Sequence, residues 1–166
     1  MSKKFPSESF THQEHMVRPQ HTNPHNTVFG GELMAWVDIA AASAAMRHSN
    51  KPVVTASIDA MHFFEPIKIG WIVCLDASVN YASNTSCEVG VRVTAKHPIL
   101  GEEVHTASAY MTFVALDGNG KPTPMPKIEP QTEVEKKRYQ SAIERRKSRL
   151  ELRERLKRRH LQYKKN

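Results

Sequence analysis

Apolar positions recur along this chain with two different periods, and the change of period divides it. From Leu33 to Met46 the residues run Leu-Met-Ala-Trp-Val-Asp-Ile-Ala-Ala-Ala-Ser-Ala-Ala-Met, with Asp38 as the only ionisable group. This predicts a helix over residues 33–48 that is apolar nearly all round, too greasy for a surface helix and too short for a membrane span. The rest of the domain is therefore expected to wrap it. Four extended segments with period-two alternation follow. Residues 53–64 set Val54, Ala56, Ile58 and Ala60 against Thr55, Ser57 and Asp59, and residues 71–81 put Trp71, Val73, Leu75, Ala77 and Val79 on one side. Residues 86–96 align Cys87, Val89, Val91, Val93 and Ala95, and residues 104–116 align Ala107, Ala109, Met111 and Phe113. The connections at 65–70, 82–85 and 98–103 are too short for the crossovers that parallel neighbours need. An α+β fold is predicted, in which a curled antiparallel sheet wraps a central apolar helix.

The flanks read differently. Residues 1–14 form a polar arm and residues 15–19 a short candidate strand, followed by turn chemistry at 20–26. Asp117-Gly118-Asn119-Gly120 ends the last strand, so one domain is expected over residues 15–121. Pro122, Pro124, Pro126 and Pro130 predict an extended linker over 122–131, and residues 132–166 a charged helix.

Charge sharpens that division. Residues 131–166 hold fourteen Lys/Arg and five Asp/Glu, a net of +9, whereas the remainder is close to neutral. The positives alternate with Glu133, Glu135, Glu144, Glu151 and Glu154 at helical spacings, as in a solvated helix with internal pairing. A thin stripe of Tyr139, Ile143, Leu150, Leu156 and Tyr163 offers a surface for docking on a neighbouring subunit. The start lacks a secretory apolar core, which points to a cytoplasmic protein. Alternation sends Cys74 and Cys87 to different sides of their strands, against a structural disulfide. The nine histidines include suggestive pairs, His12 with His15 and His21 with His25, but no cysteine or carboxylate cluster joins them, so no metal site is expected. No Gly-x-Ser-x-Gly elbow occurs, which disfavours a serine nucleophile.

The run Thr22-Asn23-Pro24-His25-Asn26-Thr27-Val28-Phe29-Gly30-Gly31-Glu32-Leu33-Met34-Ala35-Trp36-Val37-Asp38 resembles the signature of hotdog-fold acyl-CoA thioesterases of the YciA and brain acyl-CoA hydrolase type. Similar too are the segment from Val54 to Phe63, Pro66 with Gly70, and the segment from Ala109 to Val114. The resemblance covers roughly residues 12–140. It implies hydrolysis of acyl-CoA, with coenzyme A bound as part of the substrate and no further cofactor. It also implies a homo-oligomer whose minimal active unit is a dimer, assembled as a trimer of dimers, with the Asp-bearing helix and the Asn-bearing loop contributed by different chains. Where many relatives carry Gly in the loop this chain has Asn26, a residue that tolerates positive φ.

The chemistry suits these residues. Thioester hydrolysis needs an activated water and a donor for the carbonyl oxygen on which negative charge develops. N–H groups at a helix start are unpaired and carry partial positive charge, and Gly30 and Gly31 leave a carbonyl room to reach them. Gly31 N–H is the candidate oxyanion donor. Asp38, two turns on, is the candidate general base, its apolar setting expected to raise its pKa. Asn23 is the candidate water-positioning group. The polar loop Ser83-Asn84-Thr85-Ser86 matches a family segment near the cofactor, and Lys68 and Lys96 are candidate phosphate partners.

Plainer readings stand beside these. Asp38 can be a buried carboxylate satisfied by a hydroxyl such as Ser43, and the glycine pair can serve tight packing alone. Asp59, sharing a strand side with Thr55 and Ser57, suits an ordinary hydrogen-bonded role. A hydratase on the same fold is disfavoured, because that subclass carries His where this chain has Ser43. The alternative from another class is a non-catalytic acyl-CoA-binding protein whose basic helix contacts nucleic acid or another acidic partner.

Overall fold

Strands that alternate strictly in the sequence lie in the middle of the sheet, and the segment that alternates loosely lies at its edge. The computed structural model describes residues 3–59 and 61–163. In chain order it has β1 (Lys3–Lys4), α1 (Pro6–Ser9), β2 (Thr11–Met16), a 3-10 turn (Pro19–His21), α2 (Gly30–Ser49), β3 (Val53–Ile58) and β4 (His62–Phe63). Then come β5 (Ile72–Ala82), β6 (Ser86–Lys96), β7 (Glu103–Ala115), β8 (Lys127–Ile128) and α3 (Glu133–Tyr163). The main sheet is antiparallel in the order β2-β5-β6-β7-β3, with β4 also on β7.

The predicted inward sets of the long strands form the core. Val73, Leu75, Ala77 and Val79 face Val89, Val91, Val93 and Ala95, and these with Ala107, Ala109, Met111 and Phe113 are all buried. Burying a side chain such as Leu75 or Phe113 contributes roughly 1.5–3 kcal/mol. Across this face lies α2, which buries Leu33, Trp36, Val37, Ala40, Ala41, Ala44 and Ala45. Small residues at 40, 41, 44 and 45 let the helix axis approach the sheet closely. Asn50, in left-handed conformation at φ 53°, ends the helix, and Lys4 Nζ donates to the Arg47 carbonyl at 2.8 Å.

The curled antiparallel sheet packs on α2 as expected, and Met34, Ile39 and Met46 are exposed in the single chain, so the helix presents an open stripe along Gly31, Met34, Ala35, Asp38, Ile39 and Met46. Two other expectations are corrected. The segment read as a polar arm is ordered from Lys3 onward, and its strand starts at Thr11 rather than His15, because Thr11 through Met16 pair with Ala77 through Ile72. Residues 53–64 form two strands, Val53–Ile58 and His62–Phe63, and within the first a bulge between Thr55 and Ser57 breaks the alternation. Ala60, expected on the apolar side of that segment, lies outside the described residues, as do Met1, Ser2 and residues 164–166.

The proline-rich stretch is likewise no free linker up to Glu129. Thr123 N–H donates to the Ala115 carbonyl at 2.9 Å, Met125 N–H to the Asn84 carbonyl at 2.9 Å and His48 Nε2 to the Pro126 carbonyl at 2.8 Å. Lys51 Nζ holds Thr123 Oγ1 and the Pro124 carbonyl, and β8 pairs in parallel with β1. Prolines pre-set an extended backbone, so the strap lies down at little entropic cost. The chain divides after Glu129 into two compact units. The second holds α3, opened by a capping box in which Thr132 Oγ1 accepts from Glu135 N–H and Glu135 Oε2 accepts from Thr132 N–H. Pairs such as Glu133–Lys136 and Glu154–Lys157 join its charges at 2.8 and 3.2 Å. Among the described residues no helix is long and apolar enough to cross a membrane.

Candidate active site

The loop before α2 is built by Asn23. Its Oδ1 accepts from His25 N–H at 2.9 Å and Thr27 N–H at 3.3 Å, and its Nδ2 donates to Thr27 Oγ1 at 3.0 Å. Asn26 closes the turn at φ 58°, the left-handed conformation that its side chain tolerates, and donates to the Asn23 carbonyl. Val28 N–H donates to the Ile67 carbonyl and Phe29 N–H to the His21 carbonyl, which pins the loop against the β4–β5 connection and delivers the chain to the helix start.

Phe29 is the N-cap, and its carbonyl accepts the first helical hydrogen bond from Leu33 N–H at 3.1 Å. The N–H groups of Gly30, Gly31 and Glu32 therefore have no acceptor within the helix. Neither glycine has positive φ. A methyl group on Gly31 would collide with the Phe29 ring, which would have to shift, whereas one on Gly30 would rest in ordinary contact 3.8 Å from Phe63 Cζ. Beside Gly30 opens a pocket of about 330 Å³ lined by Val28, Gly30, Leu33, Phe63, Phe64, Glu65, Pro66 and Ile67. It is apolar apart from Glu65, and it ends at the positive pole of α2.

Asp38 lies half-buried on the open stripe of the same helix. Its Oδ1 accepts from Thr55 Oγ1 at 2.8 Å. Ser43, the hydroxyl considered for that task, instead donates to the Ile39 carbonyl at 2.8 Å. Thr55 went unrecognised because strand alternation grouped it with Ser57 and Asp59. Its register partner is the inward-facing Phe113, which turns Thr55 toward α2, and the bulge after it hides the pattern. Seven residues separate Gly31 from Asp38, so the two lie on one face, roughly 10 Å apart along the axis.

The remaining candidates divide. Lys68 is exposed beside Ile67 of the pocket, in a bridge with Thr27. Ser83, Asn84, Thr85 and Ser86 form the β5–β6 hairpin, whose Ser86 pairs with Val114, whereas Phe63 at the pocket pairs with Ala107. Seven residues of extended β7 put these roughly 23 Å apart in one chain. Lys96 shares the sheet face of Cys74 and Asp76, away from α2, and pairs with Glu103 at 3.5 Å. His12 and His15 point to opposite faces of β2. His12 contacts Asp76 at 2.7 Å, a bond that raises its pKa, while His15 stacks on Trp36 at 4.6 Å and burial lowers its pKa. The two thiols are free and buried, and burial pushes Cys87 up to about 12.

The thioesterase superfamily profile matches residues 25–102. An uncharacterized acyl-CoA thioester hydrolase of Bacillus subtilis, YkhA, is 42% identical over 142 residues, covering 86% of this chain and 83% of that one. An apo-hexameric acyl-CoA thioesterase superposes with TM-score 0.88 at 40% identity, over 91% of this chain and 97% of that chain. An acyl-CoA hydrolase from Staphylococcus aureus, solved with butyryl coenzyme A and coenzyme A, superposes with TM-score 0.85 at 42% identity, over 93% and 97%. Alanine mutants of that enzyme at an Asn, an Asp and a Thr have been solved, and the three stand fifteen and seventeen positions apart. Asn23, Asp38 and Thr55 have the same spacing. The chain belongs to the thioesterase superfamily, among its hotdog-fold acyl-CoA thioester hydrolases.

Proposed function

We propose that the chain hydrolyses acyl-CoA to free acid and coenzyme A by general-base activation of water at Asp38. Water gives a proton to the Asp38 carboxylate as its oxygen attacks the thioester carbon. The carbonyl oxygen becomes an oxyanion held by Gly31 N–H at the positive end of α2. Collapse breaks the carbon–sulfur bond, and the leaving thiolate recovers the proton from Asp38. Thr55 fixes one carboxylate oxygen and leaves the other free for water. Asn23 shapes the loop and retains one amide N–H that can hold that water.

The observation that carries this reading is the placement of Asp38 and Gly31 on one open helix face. A separation of roughly 10 Å is too large for both groups of one chain to meet the same carbonyl. Two copies of α2 packed antiparallel about Met34 and Ala35 would bring Asp38 of each beside Gly31 of the other. The exposed Met34, Ile39, Met46, Val54 and Ile58 supply the apolar surface for such a dimer, and Ala35 permits close approach. A dimer is thus the minimal active unit, and trimers of dimers follow the hexameric relatives. Coenzyme A is bound as part of the substrate, with Lys68 facing its phosphates. Ser83, Asn84, Thr85, Ser86 and Lys96 reach it only if presented by another chain.

The test is release of free thiol from short, medium and long acyl-CoAs by the wild type and by Asp38→Asn. Hydrolysis that vanishes in a folded, assembled variant supports the mechanism. Near-normal turnover by that variant removes it.

A further inference from the structure

The loop that carries Asn23 closes on itself as a small antiparallel ladder with His21 at its foot. Asn23 N–H donates to the Thr27 carbonyl at 2.9 Å, Thr22 and Val28 are bridge partners, and Phe29 N–H donates to the His21 carbonyl at 2.9 Å. Phe29 directly precedes α2, so the His21 carbonyl ties the foot of the loop to the helix start. The His21 ring reaches the same helix further on. It meets Trp36 edge-on, with ring centroids 5.1 Å apart and planes at 88°, a favoured aromatic geometry. Trp36 is itself held, because it is buried and His15 of β2 lies flat on it at 4.6 Å. The exposed Arg18 N–H donates to His21 Nδ1 at 3.2 Å, a bond that water can replace. His21 thus grips α2 at its N-cap through the backbone and again roughly two turns on through the ring.

We infer that His21, seated edge-on against Trp36, is a positioning residue for the reaction, holding the Asn23 amide at a fixed place relative to the first turn of α2. This rests on the reading of Asn23 as the group that holds the attacking water. Asn23 stands two positions after His21, and the ladder between them and Phe29 is short and fully bonded, so the loop moves as one piece. Its hinge is the pair of chain segments that enter and leave at His21 and Phe29. The ring contact with Trp36 stops rotation about that hinge. Without it the ladder swings about the helix start, and the water is carried out of line with the carbon it must attack. Such a misplacement slows the chemical step more than it weakens binding, because the thioester still occupies the site while the attack geometry is lost. His21 needs no contact with the substrate to act in this way.

The experiment measures kcat and KM on butyryl-CoA for His21→Ala, His21→Phe, Asn23→Ala and the double variant His21→Ala with Asn23→Ala, each checked for assembly by gel filtration. His21→Ala is expected to lower kcat about ten- to hundredfold and to change KM less than about threefold. His21→Phe, which keeps a ring edge for Trp36, is expected to bring kcat back to within about threefold of the wild type. In the Asn23→Ala background, His21→Ala is expected to cost at most about twofold more, because its effect passes through an amide already removed. His21→Leu, which fills the space without an aromatic edge, takes the place of His21→Ala should that variant fail to assemble. Wild-type kcat in the assembled Ala or Leu variant, a loss confined to KM, no recovery in His21→Phe, or losses that multiply in the double variant overturns the inference. Asn23→Ala alone separates this from the underlying reading. If it is as fast as the wild type, the water-holding role of Asn23 fails; if it is slow while His21→Ala is fast or the losses multiply, only the positioning assignment fails.

Discussion

Thr55 Oγ1 donates a 2.8 Å hydrogen bond to Asp38 Oδ1, joining the edge strand β3 to the middle of α2. A hydrogen bond to a carboxylate is worth roughly 1.5–3 kcal/mol, which corresponds to about ten- to hundredfold in rate if it is needed to aim the base. Thr55→Val should therefore lower kcat by that factor and leave KM nearly unchanged, whereas Thr55→Ser should restore most of it. Equal losses in Val and Ser would show that packing, and not the hydroxyl, matters.

Removing the base itself is more severe. Asp38→Asn keeps the shape and the Thr55 contact but cannot take a proton, and kcat should fall about 10²- to 10⁴-fold. Circular dichroism and gel filtration alongside the thiol assay distinguish this from misfolding.

Mixed oligomers test whether two chains share one site. Asn23→Ala and Asp38→Asn homo-oligomers should each be nearly inactive. Refolded together one to one, they should regain about a quarter of wild-type activity, because half of the dimers are hybrids with one intact site each. A mixture no more active than its parents would place the whole site within one chain.

Gly31→Ala introduces a methyl group into the space held by the Phe29 ring, so that ring must turn away from the helix start. Turnover should fall at least about tenfold. Adding Phe29→Ala should recover much of it, a coupling that a double-mutant cycle measures directly. Additive losses would mean that the methyl group acts on something other than Phe29.

His48 links stability to pH. It is fully buried, donates through Nε2 to the Pro126 carbonyl and leaves Nδ1 without a partner among the described residues, and burial lowers its pKa from the usual 6.5. Above that value both folded and unfolded chains hold it neutral. Below it the unfolded chain takes a proton that the folded chain resists, so stability declines as pH falls through the window beneath 6.5. His15 acts in the same direction, while the more exposed His12, held up by Asp76, adds stability on the acid side and loses it as pH rises. The urea midpoint should drop between about pH 7 and pH 5, less steeply in His48→Gln. Identical slopes would exonerate His48.

Much of this was legible in the residues. β6 spans residues 86–96 as its alternation predicts, and the inward sets of β5 and β7 are buried where period two places them. The carboxylate of Asp38 and the glycine pair stood out because each broke a local rule, an acid in an apolar run and two weak helix formers at a helix start. The Thr55 contact did not, because a bulge is invisible to periodicity. The open stripe of α2 was not legible either: composition says a helix must be covered, and is silent on whether the cover is the same chain.

The pairing of β1 with β8 carries a consequence for biosynthesis. Lys3 and Lys4 pair with Lys127 and Ile128, which are synthesised more than a hundred residues after them. The cap that Lys4 places on the end of α2 must wait for that closure or form without its support. Nascent protein will therefore hold the β1 segment loose until translation has passed the strap.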